Sequence, residues 1–255
     1  AADLANLAEQ LTAGPSSYAD GDKYYKLESD IDLSDYGKTY REGKGWVPIG
    51  TSSRPFKGHF DGNGKEIRGL YINDSSLNYA GLFGYIAGGS VRDLGLTKVN
   101  ITGQSYVGAL AGFTTGTVED CYATGSVSGN NDYVGGLIGY LDSNGEVAKC
   151  YVTGTVNGNA SVGGLVAYVK SSSVENCYTA GAVSGNQKTG GIAGAVDAGI
   201  LQYCYSTATV TSKTYVGGIS GEVTNGGNIE NCIAISPAIY GENTMGRIVG
   251  RNNGS

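Results

Sequence analysis

The side chains of this 255-residue chain that could carry chemistry are five cysteines, three evenly spaced glutamates, a single histidine and many of its 19 tyrosines. The cysteines stand at Cys121, Cys150, Cys177, Cys204 and Cys232, always at one place in a recurring segment, with Leu94 in that place one copy earlier. Their number is odd, and no CxxC pair or histidine accompanies them. If successive copies stack as parallel strands about 4.8 Å apart, neighbouring Cβ atoms are farther apart than a relaxed disulfide prefers. The spacing therefore predicts a ladder of reduced, buried thiols rather than a disulfide framework, a reactive thiol or a metal site.

Glu119, Glu175 and Glu230 share another place, but Ala148 and Gln202 alternate with them. Carboxylates two strands apart would stand about 9.6 Å from each other, at the outer limit for an inverting glycosidase pair. A solvated stripe is the simpler expectation. Lyase chemistry needs a basic group beside a carboxylate. Yet no arginine lies between Asp93 and Met245, and Lys98, Lys149, Lys170, Lys188 and Lys213 do not recur at one place. His59 is expected to be exposed in the turn-rich GHFDGNG, with no GxSxG context, and HExxH is absent. DIDLSD from Asp30 lacks the sixth-place glycine and twelfth-place glutamate of a calcium loop, Arg41 standing at the latter, so Asp30 and Asp32 should serve turn or capping hydrogen bonds. No catalytic residue, metal or cofactor is expected.

A repeat must position these residues. YVGALAGF from Tyr106 returns as YVGGLIGY from Tyr133, SVGGLVAY from Ser161, KTGGIAGA from Lys188 and YVGGISGE from Tyr215, with degraded copies NYAGLFGY and TMGRIVGR at either end. The last small residue of each copy falls at Gly84, Gly112, Gly139, Ala167, Gly194, Gly221 and Gly250, giving steps of 27 to 29 residues. Such a period means one supersecondary unit stacked on itself. Short runs of Val, Thr, Ser and Tyr between TG, SGN, NG and GG read as two or three strands per unit. The predicted fold is all-β, a right-handed parallel β-helix (β-solenoid) of about seven coils, on the order of 35 Å long.

Leu4, Leu7, Ala8 and Leu11 lie on one face of a predicted N-terminal capping helix, with Asp3 as N-cap and Gly14-Pro15 as stop. Residues 1–75 read as an N-terminal cap of helix plus irregular first coils or hairpins, with a turn at Asp61-Gly62-Asn63-Gly64, and residues 76–255 as the solenoid, together one continuous unit. Arg247 and Arg251 in the last copy suggest either a polar cap or continuation into a longer protein.

Alternation along YVGGLIGY puts Leu137 and Gly139 on one side, and Gly136, Ile138 and Tyr140 on the other. Glu222 and Arg247 fall in columns of the second side, which is therefore expected to face water. It carries the column Tyr85, Phe113, Tyr140, Tyr168, Ala195, Glu222, Arg251, a flat aromatic strip over small residues. A second outward column, Tyr122, Tyr151, Tyr178 and Tyr205, follows the cysteines. Stacked rings can serve the fold alone, or offer a binding strip to glycans or proteins.

The GGLxG core, the CYxTGxV partner segment and the leading block DIDLS, WxPIG, FxGxFDGNG and GLFGYI resemble the GLUG-motif repeat proteins of bacterial surfaces, over roughly residues 3 to 250. Similar repeats occur in adhesins and in non-catalytic portions of IgA-cleaving surface peptidases. The resemblance implies an extracellular, bacterial cell-surface location and an architecture, not a reaction. Ala109 and Ala167 replace glycines of the pattern, and Ser161 and Lys188 replace its leading tyrosine, so a role for that tyrosine column would be interrupted.

A net charge of −6 disfavours nucleic acid and anionic membrane surfaces. The absence of an 18-residue apolar run disfavours membrane insertion, and the N-terminus does not read as a signal peptide, as expected of a mature exported form. The expected function is a non-catalytic repeat module for adhesion, ligand display or rigid spacing, a monomer whose partner is a host or microbial surface glycan or protein. FDGNGKEI also resembles the opening coils of pectin-lyase-like enzymes. The alternatives are therefore a carbohydrate-active β-helix, polysaccharide lyase or glycoside hydrolase, with a site near Asp30, Asp32, His59 and Asp61, or a structural segment of a larger surface peptidase.

Overall fold

The computed structural model describes residues 1–13, 21 and 23–253. They form a parallel β-solenoid of about seven turns preceded by one helix. A representative coil runs through the strands Asp132–Gly135, Ile138–Leu141, Glu146–Ala148 and Tyr151–Asn157. Each pairs in parallel with its copy in the next coil, at Ala160–Gly163, Val166–Lys170, Ser173–Glu175 and Tyr178–Ser184. The strand Ile138–Leu141 and its copies make a separate 7-stranded sheet, while the other three strands of each coil belong to a 20-stranded one.

The coil thus holds four short strands where two or three were expected. Left-handed residues recur at two places in the coil, one between strands and one within a strand. Asp93, Asp120, Lys149, Asn176, Tyr203 and Asn231, each just before the Leu94/cysteine place, have φ between 52° and 54°. The leading residues Tyr79, Tyr106, Tyr133, Ser161, Lys188 and Tyr215 have φ between 49° and 64°. Such a conformation costs a non-glycine residue about 1 kcal/mol, which the hydrogen-bonded ladders on either side must offset.

Simple alternation fails at the junction of the first two strands of the coil. Leu137 and Ile138 are both fully buried, because the chain passes from one sheet to the other between Gly135 and Ile138. The expectation that Gly136 and Ile138 share a water-facing side is therefore corrected. Val107, Val134, Leu110, Leu165, Val147 and Val174 fill the same continuous core.

The helix α1 spans Ala2–Ala13 and buries Leu4, Leu7, Ala8 and Leu11 in that core. It starts at Ala2, so Asp3 lies in its first turn and is not the N-cap. The expected stop at Gly14-Pro15 lies outside the described residues. The early coils contain no hairpin among the described residues: Tyr24–Lys26 pairs in parallel with His59–Asp61, and His59–Arg68 in parallel with the strand from Ser90. The predicted turn at Asp61-Gly62-Asn63-Gly64 is a bulge within that strand, where the register shifts between Asp61 and Lys65. Asn63 and Gly64 adopt positive φ there, and the backbone N–H of Asn63 donates to Asp61 Oδ1 at 2.7 Å. With parallel neighbours on both sides, the glycines accommodate an extra loop of chain without reversing it.

At the other end the last coil exposes Ile233, Ile235, Tyr240 and Met245 beside Arg247. It is not a wholly polar cap.

Candidate functional site

The left-handed residue before each cysteine turns the thiol inward and the following tyrosine outward: Lys149 has φ 54°, Cys150 is fully buried and Tyr151 half-buried. Tyr122, Tyr151, Tyr178 and Tyr205 consequently occupy one register position in successive coils. Their rings stack at centroid separations of 4.8, 4.8 and 5.0 Å with interplanar angles of 2°, 5° and 6°. Glu66 and Gly95 precede them in the same register. Tyr122 lies over Gly95, where an added Cβ would sit 2.5 Å from its ring, and its hydroxyl donates to Glu66 Oε1 at 2.7 Å. Burial, then the Glu66 contact, pushes the Tyr122 phenol up to about 12. Glu66 is held below the usual carboxylate range by Tyr122 first and then by Arg68. At the far end Tyr205 is 42% exposed.

The other predicted column also forms in register. Tyr85, Phe113, Tyr140 and Tyr168 pair in sequence and continue to Ala195, Glu222 and Arg251. The rings stack at 4.3, 5.3 and 5.0 Å. They do not form an open flat strip. The leading tyrosines, Tyr79, Tyr106 and Tyr133, pack beside them as a third column, with Tyr133 edge-on to Tyr140 at 5.0 Å and to Tyr168 at 5.4 Å. Tyr79 and Tyr106 stack at 4.7 Å. Burial raises the phenols of Tyr85, Tyr106, Tyr133, Tyr140 and Tyr168. Near neutral pH these groups are therefore neutral donors, and Tyr168 donates to Asp197 Oδ2 at 3.0 Å. Because each ring covers its neighbour's face, the columns offer edges and hydroxyls rather than aromatic faces.

Glu222 does not face water. It is only 5% exposed, with Lys188 Nζ 2.7 Å from Oε2 and Arg251 Nη1 3.7 Å from Oε1. Arg251 also donates to the Tyr215 hydroxyl at 2.7 Å and lies over that ring. Lys188 replaces a leading tyrosine, so an ion cluster around the buried Glu222 takes over where the aromatic columns end. Sequence reasoning treated the leading tyrosines only as an interruptible column and missed this cluster. The signal was present in the placement of Lys188, Glu222 and Arg251 at repeat positions that elsewhere hold rings.

The N-terminal polar residues are engaged in local structure. Asp32 Oδ1 accepts from the Ser34 N–H at 2.8 Å, matching the expected turn role, whereas Asp30 Oδ1 accepts from the Glu66 N–H at 2.9 Å in the neighbouring coil, a contact between coils rather than a turn or cap. Asp61 bonds Arg92 at 2.7 Å. His59 is not an exposed loop residue: it begins a strand, is half-buried, stacks on Tyr24 at 4.7 Å and shares a hydrogen bond with Ser90 Oγ at 2.9 Å. All five cysteines are free, four of them buried and Cys232 half-buried. Glu119, Ala148, Glu175, Gln202 and Glu230 share one register, with Glu119 paired to Lys149 at 2.7 Å. Among the described residues no three His, Cys, Asp or Glu side chains cluster so as to hold a metal ion.

The GLUG-motif family matches residues 103–128, 130–157 and 213–239. This chain carries GLUG repeats. The two coils between the second and third matches are those led by Ser161 and Lys188, yet the parallel register of the GLUG repeats runs through them unbroken. A protein of Evansella cellulosilytica described as a candidate Gly-rich membrane protein is 46% identical over 80 residues, a match spanning 31% of this chain and 9% of that protein. A Bacteroides ovatus structure described as a candidate immunoglobulin A1 protease shares the fold, with TM-score 0.67 and 20% identity over 94% of this chain and 82% of that one. Among the described residues no helix is long and apolar enough to cross a membrane.

Proposed function

We propose that this chain is a non-catalytic, extracellular module of a bacterial surface protein that acts as a rigid spacer displaying whatever is joined to it. The observation that carries this reading is the parallel pairing of successive coils from Tyr24 to Asn253, shifted only at the bulges near Asp61 and Leu96 among the described residues, in which like side chains stack on like through the central coils. Neighbouring coils are joined by backbone bonds along up to four strands, and those between Tyr79 and Tyr205 also by ring stacking contributing roughly 0.5–1.5 kcal/mol per pair. Such a body resists bending, since tilting one coil breaks bonds on every face. The names of the relatives agree with a surface setting. The engagement of Asp30, Asp32, His59 and Asp61 in local hydrogen bonds argues against a carbohydrate-cleaving site there.

The test is substitution within a surface protein that carries the module. An unrelated solenoid of equal length should restore antibody access to the outer domains, whereas a Gly/Ser linker of equal residue number should not. Equal restoration by the flexible linker would refute the spacer role.

A second reading, adhesion, is favoured by the half-exposed edges of Tyr122, Tyr151, Tyr178 and Tyr205, which present a row of hydroxyls to a surface glycan or protein. Tyr151→Ser with Tyr178→Ser would then abolish binding on a glycan array or to host cells while leaving the fold intact. Unchanged binding would retire that role.

A further inference from the structure

The column Tyr122, Tyr151, Tyr178, Tyr205 has a chemical consequence that neither spacing nor adhesion requires. Four phenols stand in one line, each ring nearly parallel to the next and no more than 5.0 Å from it. Rings related by near-pure translation place each ortho carbon about as far from its counterpart as the centroids are, and the parallel ladder keeps the pairs aligned. The column is reachable, since Tyr205 is 42% exposed and the other three are half-buried. It also has a proton acceptor at its inner end, the Glu66 carboxylate that receives the Tyr122 hydroxyl. The column Tyr85, Phe113, Tyr140, Tyr168 lacks this continuity, because Phe113 has no phenol to oxidise.

We infer that this column is an oxidative cross-linking site at which a peroxide-driven one-electron oxidant joins tyrosines of adjacent coils as dityrosine. Two phenols each lose one electron and the hydroxyl proton. The resulting phenoxyl radicals form one carbon–carbon bond between ortho positions, and each ring returns its ortho hydrogen to oxygen. The two electrons and two protons reduce one hydrogen peroxide, whose O–O bond breaks to give two waters. Oxidation starts at the exposed Tyr205 and passes inward by electron exchange between stacked rings. At Tyr122 the proton goes to Glu66. The product ties neighbouring coils together covalently, a change suited to a rod exposed to oxidants outside the cell.

The test treats the folded protein, at dilution, with hydrogen peroxide and a peroxidase, and reads dityrosine by its blue fluorescence and the joined residues by peptide mass spectrometry. Cross-links should join Tyr122 to Tyr151, Tyr151 to Tyr178 and Tyr178 to Tyr205, at a fraction independent of protein concentration. Tyr178→Phe, which keeps the ring stack but interrupts the relay from Tyr205, should abolish the last two and diminish the first. Glu66→Gln should diminish the first and leave the last. Dityrosine that forms only between molecules, or the same peptide pairs in the same proportions from protein unfolded in urea, would overturn the inference, as would its absence.

Discussion

The backbone N–H of Cys121 points at the sulfur of Cys150, 3.4 Å away, and Cys150 stands in the same relation to Cys177. Each thiol in turn donates to a carbonyl, Cys150 to Ala148 at 3.1 Å. A cysteine at this place is thus a small apolar filler that also satisfies a corner amide. Burial raises the Cys150 thiol well above its ordinary value, which suppresses the reactive thiolate.

From this follows a labelling order. A thiol-specific reagent should modify Cys232, half-buried in the last coil, well before the other four, which should react only on unfolding. Timed labelling with peptide mapping checks it, and early modification of Cys150 would contradict the ladder.

The Tyr122–Glu66 contact should show in alkaline stability. The Tyr122 phenol is raised in the folded state from 10.0 to about 12, so its contribution is fully present below pH 10 and is lost as pH rises toward 12. The raised phenols of Tyr140 and Tyr168 act in the same direction. On the acid side, Glu66 is lowered, so its contribution is present above the unfolded value and fades as pH falls through the folded one. Tyr122→Phe should flatten both limbs of the urea midpoint against pH. An unchanged profile would show that the contact is not maintained.

Glu222 is held between Lys188 and Arg251 with almost no water. Glu222→Ala leaves both cations short of a partner and should destabilise by about 2 kcal/mol, less than for a fully enclosed pair because Lys188 and Arg251 remain partly solvated. The same substitution in a Lys188→Met background should cost less. Urea denaturation of the four proteins of the cycle measures the difference, and additive effects would deny the coupling.

Two backbone substitutions should move stability in opposite directions. Gly181 has φ 112°, and an added Cβ would lie 2.0 Å from the Gly154 carbonyl oxygen, so Gly181→Ala should cost about 3 kcal/mol. Ala198 occupies a left-handed corner at φ 51°, where Asn144 and Asn225 stand in other coils. Ala198→Asn should gain about 0.5–1 kcal/mol, since asparagine tolerates that conformation. Thermal unfolding of both variants decides the sign.

Columns were legible in the sequence because a parallel stack repeats each position every 27 to 29 residues: Tyr140 over Phe113 and Cys150 beside Cys121 follow from counting alone. Facing was less legible. Alternation holds only within a straight strand, and the chain passes from one sheet to the other between Gly135 and Ile138, leaving both Leu137 and Ile138 inside. Glu222 looked solvated because its charge was weighed alone, while its partners lie 34 and 29 residues away in sequence and one coil away in space. At Asp61-Gly62-Asn63-Gly64, residues that favour a hairpin turn serve equally well in a bulge.

The central claim is that every coil adds one strand spacing along a single axis. Spin labels on the column Asp61, Arg92, Glu119, Ala148, Glu175, Gln202, Glu230, in a Cys232→Ser background, test it directly by pulsed dipolar spectroscopy. Pairing Glu230 with Glu119, Arg92 or Asp61 spans four, five or six coil steps, so backbone separations of about 19, 24 and 29 Å are predicted, each narrowly distributed. Separations that fail to grow by a constant step, or that spread broadly, would contradict the stacked rod.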